Sequence, residues 1–184
     1  MDVLLECIEI AGHAPMGGNA QRNRWMIVTD PELKAEIAGF YAAVGRPYLE
    51  AAGTPADDRM GRVIDSTVYL IDHLAEAPAL VIPLRLDRPP SGEGFDNASG
   101  YYGSVLPGVW SFQLAARSRG LGSCWTTFHL GHERQVAEML GIPESVSQVA
   151  LLPVAYYTGD TFHRAPRRDV GEITFLNQWK NPPS

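Results

Sequence analysis

The segment from His13 to Gln21, written HAPMGGNAQ, combines residue types that could contact a flat, polar ligand. Gly17 and Gly18 carry no side chain, so backbone N–H groups beside them could approach a planar ring. Asn19 offers both a hydrogen-bond donor and an acceptor, which suits the amide edge of a heterocycle. The simpler interpretation is that proline and glycine only end a helix and turn the chain. The segment alone leaves both interpretations open.

A second segment, RAPRR, places three arginines near the carboxyl terminus. Arg164, Arg167 and Arg168 could grip a phosphate group, because the guanidinium fork matches phosphate oxygens. The alternative is a solvated basic patch in an acidic protein. A phosphorylated ligand and a plain surface patch are both consistent with these residues.

Other kinds of chemistry have less support. The segment GLGSCW at 120–125 lacks the third glycine of a dinucleotide-binding fingerprint and precedes a strand instead of opening a helix. His129 and His132 lie three residues apart, but Gly131 interrupts the helix that a metal site would need, so no metal site is predicted. No serine occupies a nucleophile elbow, and no pair of carboxylates is isolated in an apolar pocket. We therefore predict no catalytic side chain.

Charge and composition argue against two classes of partner. The chain has 184 residues, a formal net charge of -6 and no long basic run, so binding to nucleic acid is not expected. No apolar run approaches the length of a membrane span, and no secretory signal is visible. Cys7 and Cys124 lie in apolar surroundings and are predicted to be reduced, buried thiols. We expect a cytoplasmic protein with no membrane partner.

Sequence periodicity predicts one domain, 1–184, in which helices alternate with strands as in a mixed α/β sandwich. The predicted helices are 2–13, 30–43, 59–75, 104–117 and 132–140, and the predicted strands are 25–29, 79–86, 123–128 and 148–157. The segments 45–57 and 88–100 are predicted to be loops. Pro83 cannot donate a hydrogen bond, so we expect a sheet edge or a bulge there.

Two segments have more apolar side chains than we expect a single chain to bury. The helix 104–117 is apolar around most of its circumference, which indicates burial on all sides or contact with a partner. The tail 159–184 has no clear period but contains Phe162, Phe175 and Trp179. We expect this tail to form an arm that wraps over a second subunit.

Taken together, these segments resemble the FMN-dependent nitroreductase family, most closely its actinobacterial-type branch. The matching segments are APMGGNAQ at 14–21, VTDPEL at 28–33, GSVLP at 103–107, WSF at 110–112, GLGSCWTT at 120–127, LGIPE at 140–144 and the Arg167-Arg168 pair. Their order and spacing make the resemblance specific, and it extends over nearly the whole chain.

The resemblance implies an α+β fold, a three-layer α/β/α sandwich with a mainly antiparallel central sheet, in an intertwined homodimer. FMN would lie at the dimer interface. NADH or NADPH would deliver hydride to the flavin, and a nitroaromatic, quinone or similar small acceptor would take the electrons. The protein would then be an NAD(P)H-dependent FMN oxidoreductase.

The resemblance also implies roles for individual residues. The implied cofactor contacts are Pro15, Met16, Gly17, Asn19, Gln21, Trp125, Thr126, Thr127, Arg164, Arg167 and Arg168. A backbone N–H near Thr127 would point at flavin N5, where a donor stabilises charge on reduction. Tyr101 and Tyr102 are predicted to line the substrate pocket.

Three departures from the family pattern motivate alternatives. The Arg-x-Ser-x-Arg segment with which family members commonly begin is missing. Met16 stands where serine or threonine is usual, and Asn23 stands where an aromatic residue is common. One alternative is a member that sequesters flavin, or has lost it, and performs no turnover. Another is a cofactor-free interaction module built on the apolar helix and the aromatic tail.

Overall fold

An antiparallel sheet forms the middle layer of the fold. The computed structural model describes residues 1–91, 95–160, 162 and 164–183. The strands are β1 (Asn23–Val28), β2 (Ala79–Arg85), β3 (Leu121–Ser123), β4 (Ser147–Gln148) and β5 (Leu152–Tyr156). Their order is β1-β2-β5-β3, β4 also pairs with β2, and every pairing is antiparallel.

Helices cover both faces of this sheet. They are α1 (Asp2–Gly12), α2 (Pro31–Ala52), α3 (Asp58–His73), α4 (Phe95–Gly103), α5 (Leu106–Ser118) and α6 (Glu133–Leu140). Short 3₁₀ turns lie at Gly17–Asn19, Leu74–Glu76, Phe128–His132 and Val170–Glu172. In the described ranges, no helix has the length and apolar character needed to span a membrane.

Alternation along β2 explains the three layers. Ala79 and Val81 pack with α1 and α5, whereas Leu80, Ile82 and Leu84 pack with α2, α3 and α6. Successive side chains of a strand point to opposite faces, and all seven residues of β2 are buried. The expected α/β/α sandwich with a mainly antiparallel sheet is confirmed.

The bulge expected at Pro83 is present, although β2 is a central strand. Val81 pairs with Leu152 and Leu84 with Gln148, so two residues of β2 face three of the neighbouring chain, 149–151. The Val149 N–H donates to the Pro83 carbonyl at 2.9 Å. This bulge divides the predicted strand 148–157 into β4 and β5.

The predicted strand 123–128 is wrong for most of its length. β3 ends at Ser123, and beyond it only Thr126 forms a bridge, to Leu151. Continuing the register from the Ser123–Val154 pair sets Cys124 opposite Pro153. Pro153 has no N–H to donate at that position, which interrupts the ladder.

Two predicted loops contain helix. The predicted end of the second helix at residue 43 is wrong, because α2 continues through Gly45 and Pro47 to Ala52. A Cβ at Gly45 would lie 2.8 Å from Ile71 and Phe128, so this glycine permits close packing that outweighs its weak helix propensity. The predicted loop 88–100 contains the start of α4, which contacts the 3₁₀ turn at Gly17–Asn19, while 92–94 lie outside the described residues.

The predicted apolar helix corresponds to α5, and it is buried on one side only. Phe112 and Ala116 lie in the core, whereas Leu106, Trp110 and Leu114 are exposed, Trp110 to 58%. These three residues are four apart and therefore form one stripe along the helix. The isolated chain leaves this stripe uncovered.

Candidate functional site

The glycine loop, residues 13–21, is held by backbone hydrogen bonds within the loop and by one hydrogen bond to the side chain of Ser104. The Gly17 N–H donates to Ser104 Oγ at 3.0 Å, and the Ala20 N–H donates to the Gly17 carbonyl. The prediction that the N–H groups here face a ligand is therefore wrong for Gly17. Gly18 has a left-handed backbone, with φ of 59°, and a Cβ there would meet no atom within 4 Å. The space above Gly18 is open, as the planar-ligand interpretation requires.

Met16 has a structural role that the sequence did not reveal. Its Sδ accepts a hydrogen bond from the Gln21 N–H at 3.1 Å. Asn19 and Gln21 have φ of 50° and 49°, a conformation that costs energy for residues with a side chain. The Met16 thioether thus accepts the N–H of Gln21, a residue with a strained backbone, and links the two ends of the turn.

Asn23 offers an unused acceptor beside a cleft. Its Nδ2 donates to the Ser104 carbonyl at 2.9 Å, while its Oδ1 is buried and has no partner among the described residues. Buried polar atoms normally have partners, so this oxygen is suited to a donor from a bound group. The cleft measures about 220 Å³ and is lined by Ile8, Ala11, Gly12, Met16, Gln21, Asn23, Arg24 and Trp25.

The segment Cys124–Thr127 follows β3 and presents a free donor. Thr126 exchanges two backbone hydrogen bonds with Leu151, of 3.1 and 2.8 Å, and its Oγ1 lies 2.6 Å from the Tyr41 hydroxyl. Thr127 is exposed, and within the described part of the chain its N–H has no acceptor. The position expected to supply a flavin N5 donor therefore has one available. Cys124 is exposed, so the prediction that it is buried is wrong.

Within a single chain, the two groups of predicted flavin contacts lie far apart. The glycine loop precedes β1 and the Cys124–Thr127 segment follows β3, and these strands form opposite edges of the sheet. Three strand spacings of about 4.8 Å put the edges roughly 14 Å apart. Pro15 is exposed and Trp125 is 38% exposed, so neither is buried within the chain.

The tail begins with an aromatic anchor and continues with exposed residues. The Arg117 guanidinium lies 3.8 Å from the Phe162 ring centre and 4.4 Å from that of Tyr157. Arg164, Arg167 and Arg168 are exposed, and Arg167 donates only to the adjacent Pro166 carbonyl among the bonds of the described residues. Further along, the exposed apolar side chains are Val170, Ile173, Leu176 and Trp179, the last to 79%.

The two predicted substrate-lining tyrosines occupy different environments. Tyr101 is buried, its hydroxyl donates to the Asp87 carbonyl at 3.2 Å, and the Arg85 guanidinium lies 4.6 Å from its ring centre. Tyr102 is 43% exposed. Only Tyr102 presents a large part of its side chain to solvent.

His129 and His132 do not face each other across an open site. His129 is fully buried, and neither of its ring nitrogens has a partner among the described residues. Burial lowers the pKa of His129 to about 4, although the nearby Glu133 carboxylate acts in the opposite direction. The His132 ring is tilted against that of Phe40, with 5.2 Å between the ring centres. His129 is therefore a neutral core side chain at neutral pH.

Comparisons with known proteins identify the family and the fold of this chain. The profile of the Nitroreductase family matches residues 1–156. An iodotyrosine deiodinase of Drosophila melanogaster is 26% identical over 176 residues, which cover 94% of this chain but only 61% of that protein. An iodotyrosine deiodinase of Thermotoga neapolitana is 27% identical over 173 residues, covering 92% of this chain and 84% of that one.

A solved structure has the same fold. It is an oxidised iodotyrosine deiodinase bound to FMN and 3-iodo-L-tyrosine, with a TM-score of 0.70 and 24% identity. The match covers 97% of this chain and 88% of that chain. The similarity demonstrates a shared fold.

Proposed function

This chain belongs to the nitroreductase family, and on that premise we propose that it is an FMN-dependent oxidoreductase that uses NADH or NADPH. The observation that carries the proposal is the N–H of the exposed residue Thr127, which has no acceptor among the described residues. A preorganised donor of this kind favours electron density arriving at flavin N5. When bound, FMN would accept hydride and pass the electrons to a nitroaromatic, a quinone or a similar small acceptor.

The residues of this chain fit FMN as two half-sites. The glycine loop offers open space over Gly18 and the unpartnered Asn23 Oδ1. The Cys124–Thr127 segment offers the free N–H at the other edge of the sheet. The loop and the Asn23 oxygen would orient the ring, and the exposed arginines of the tail would hold the phosphate.

A homodimer would join these half-sites. The exposed stripe of Leu106, Trp110 and Leu114 and the exposed apolar side chains of the tail support a second copy as the covering surface. We propose that the tail 159–184 wraps the partner and that the glycine loop of one copy lies near the Cys124–Thr127 segment of the other. Both cysteines are free, which suits the reducing cytoplasm.

Reconstitution with FMN tests the proposed function directly. The protein should take up FMN, turn yellow, and bleach when NADH or NADPH is added without oxygen. Reoxidation by a quinone or a nitroaromatic should then restore the colour. Binding without bleaching would favour the flavin-sequestering alternative, and a dimer that ignores FMN would favour the cofactor-free interaction module.

Reductive deiodination is a second candidate, favoured by the two relatives named above. In this reaction a C–H bond replaces the C–I bond and iodide leaves. Two electrons come from the nicotinamide by way of the cofactor, and a proton comes from solvent. Iodide release from 3-iodo-L-tyrosine, measured beside nitroaromatic and quinone reduction, would decide between the acceptors.

The variant Arg167→Gln should bind FMN about tenfold more weakly, because it removes a charge-assisted hydrogen bond to phosphate. Fluorescence titration with FMN and with riboflavin would measure the effect. Riboflavin lacks the phosphate, so its affinity should not change. Arg62→Gln is the matched control, because Arg62 is also an exposed arginine but lies on α3, outside the tail. Equal losses for both flavins, or no loss of FMN affinity, would contradict the assigned role.

A further inference from the structure

The 3₁₀ turn Phe128–His132 packs unusually closely against α2. A Cβ added to Gly131 would lie 2.6 Å from Val44 Cγ2, and one added to Gly45 would lie 2.8 Å from Phe128. Glycines on both elements therefore permit the contact. The same contact places the Phe128 ring 5.1 Å from Tyr41 and 5.3 Å from Tyr48. The chain just before the turn is thereby brought against the side of α2.

This close approach places a buried hydroxyl beneath Thr126. Tyr41 lies on the buried side of α2, is 1% exposed, and its hydroxyl is 2.6 Å from Thr126 Oγ1. Burial raises the pKa of Tyr41, so the phenol keeps its proton. Without Thr126 this polar group would need another partner in the core.

Thr126 has little other support from the sheet. The ladder between β3 and β5 stops at Ser123, since Pro153 cannot donate opposite Cys124. Thr126 is next held by its single bridge to Leu151. The Tyr41 hydroxyl is thus a third hydrogen bond on a residue that stands apart from the regular strand. The next residue is Thr127, whose N–H is free among the described residues.

We propose that Tyr41 is a positioning residue, which fixes Thr126 from the core side and thereby sets the position of the Thr127 N–H toward the flavin. It acts through Thr126 and does not itself contact the cofactor. The assignment rests on the proposed FMN function for its redox consequence. The contact that it describes, between Tyr41 and Thr126, exists in the chain without cofactor.

The first test therefore uses the flavin-free protein. In Tyr41→Phe the ring remains on Phe128 but the hydroxyl is lost. Hydrogen exchange followed by NMR should show exchange at the Thr126 and Leu151 amides faster by about fivefold, because the net value of one hydrogen bond is about 1 kcal/mol. Amides of β1 and β2 should not change. Tyr48→Phe is the matched control, since Tyr48 packs on the same ring but is 61% exposed.

The second test measures the two-electron midpoint potential of bound FMN. Tyr41→Phe should weaken the binding of reduced FMN about fivefold more than that of oxidised FMN, which corresponds to a potential lower by about 20 mV. Thr126→Val removes the other half of the contact and should give the same shift, with no further change in the double variant. This second variant keeps the test available if Tyr41→Phe does not fold.

The possible outcomes separate the two proposals. Unchanged exchange at Thr126 and Leu151 in both Tyr41→Phe and Thr126→Val would overturn the positioning role. Faster exchange with a potential equal to that of Tyr48→Phe would overturn it as well, because the contact would then be structural only. Failure of the wild-type chain to bind FMN would overturn the proposed function, while the exchange experiment would still report on the contact.

Discussion

Between pH 6.5 and pH 4 the protein is expected to lose about 3 kcal/mol of unfolding free energy through His129. The imidazole has an ordinary pKa of 6.5 in the unfolded chain and a pKa of about 4 in the folded one. In this interval His129 binds a proton in the unfolded state but remains neutral in the native state. The stability that the neutral His129 contributes is therefore fully present above pH 6.5 and decreases as the pH falls toward 4. Below pH 4 it is lost, and His129 causes no further change.

Urea unfolding at a series of pH values measures this loss. The variant His129→Leu has no group to titrate at this position and no unpartnered ring nitrogens, so its stability should depend less steeply on pH in the same interval. His13→Gln is the control, because His13 is exposed and should leave the slope unchanged. Identical slopes for His129→Leu and wild type would show that this side chain is not kept neutral by burial.

The variant Gly131→Ala is expected to lower the unfolding free energy by about 2 kcal/mol. The added methyl would lie 2.6 Å from Val44 Cγ2. Val44 is β-branched and cannot easily rotate away, so the 3₁₀ turn must move from α2. Because this turn follows Thr127 directly, FMN affinity should fall together with stability.

Two companion variants make this result specific. Gly39→Ala lies on α2 where a Cβ meets no atom within 4 Å, and it should be neutral or stabilising by up to about 1 kcal/mol. Val44→Ala combined with Gly131→Ala should recover part of the loss, because the clashing methyl groups are gone. A Gly131→Ala protein as stable as wild type in urea would refute the close packing.

Periodicity predicted the alternation of helices and strands in a mixed α/β sandwich, because burial of one face sets the period of each element. The antiparallel sheet between two helical layers was implied by the family resemblance. The failures of the sequence predictions have local causes. Gly45 and Pro47 are ordinary loop signals, but α2 continues through both, and Gly45 packs closely against Ile71 and Phe128. Pro153 lies on β5 and cannot donate a hydrogen bond to the residue that would extend β3. The short length of β3 is therefore determined by a residue of the neighbouring strand and not by its own sequence.

The sequence indicated which segments to consider as a candidate site, but not the hydrogen bonds that these segments form. Proline, glycine and arginine drew attention to the loop and the tail. The Met16 sulfur contact depends on a left-handed Gln21, which is unusual for that residue type. Tyr41 carried one weak signal: it shares the buried face of α2 with Ile37, so its hydroxyl required a buried partner. The sequence could not identify that partner as Thr126.

The tail has a thermodynamic consequence that follows from its composition. The arginines proposed to bind phosphate and the exposed apolar side chains, Trp179 among them, lie on one continuous segment after the Phe162 anchor. Ordering this segment costs conformational entropy once, whichever interaction forms first. FMN binding and subunit association should therefore be linked by mass action, so that the apparent FMN affinity increases with protein concentration. The protein's own abundance would then help to decide how much of it carries the cofactor.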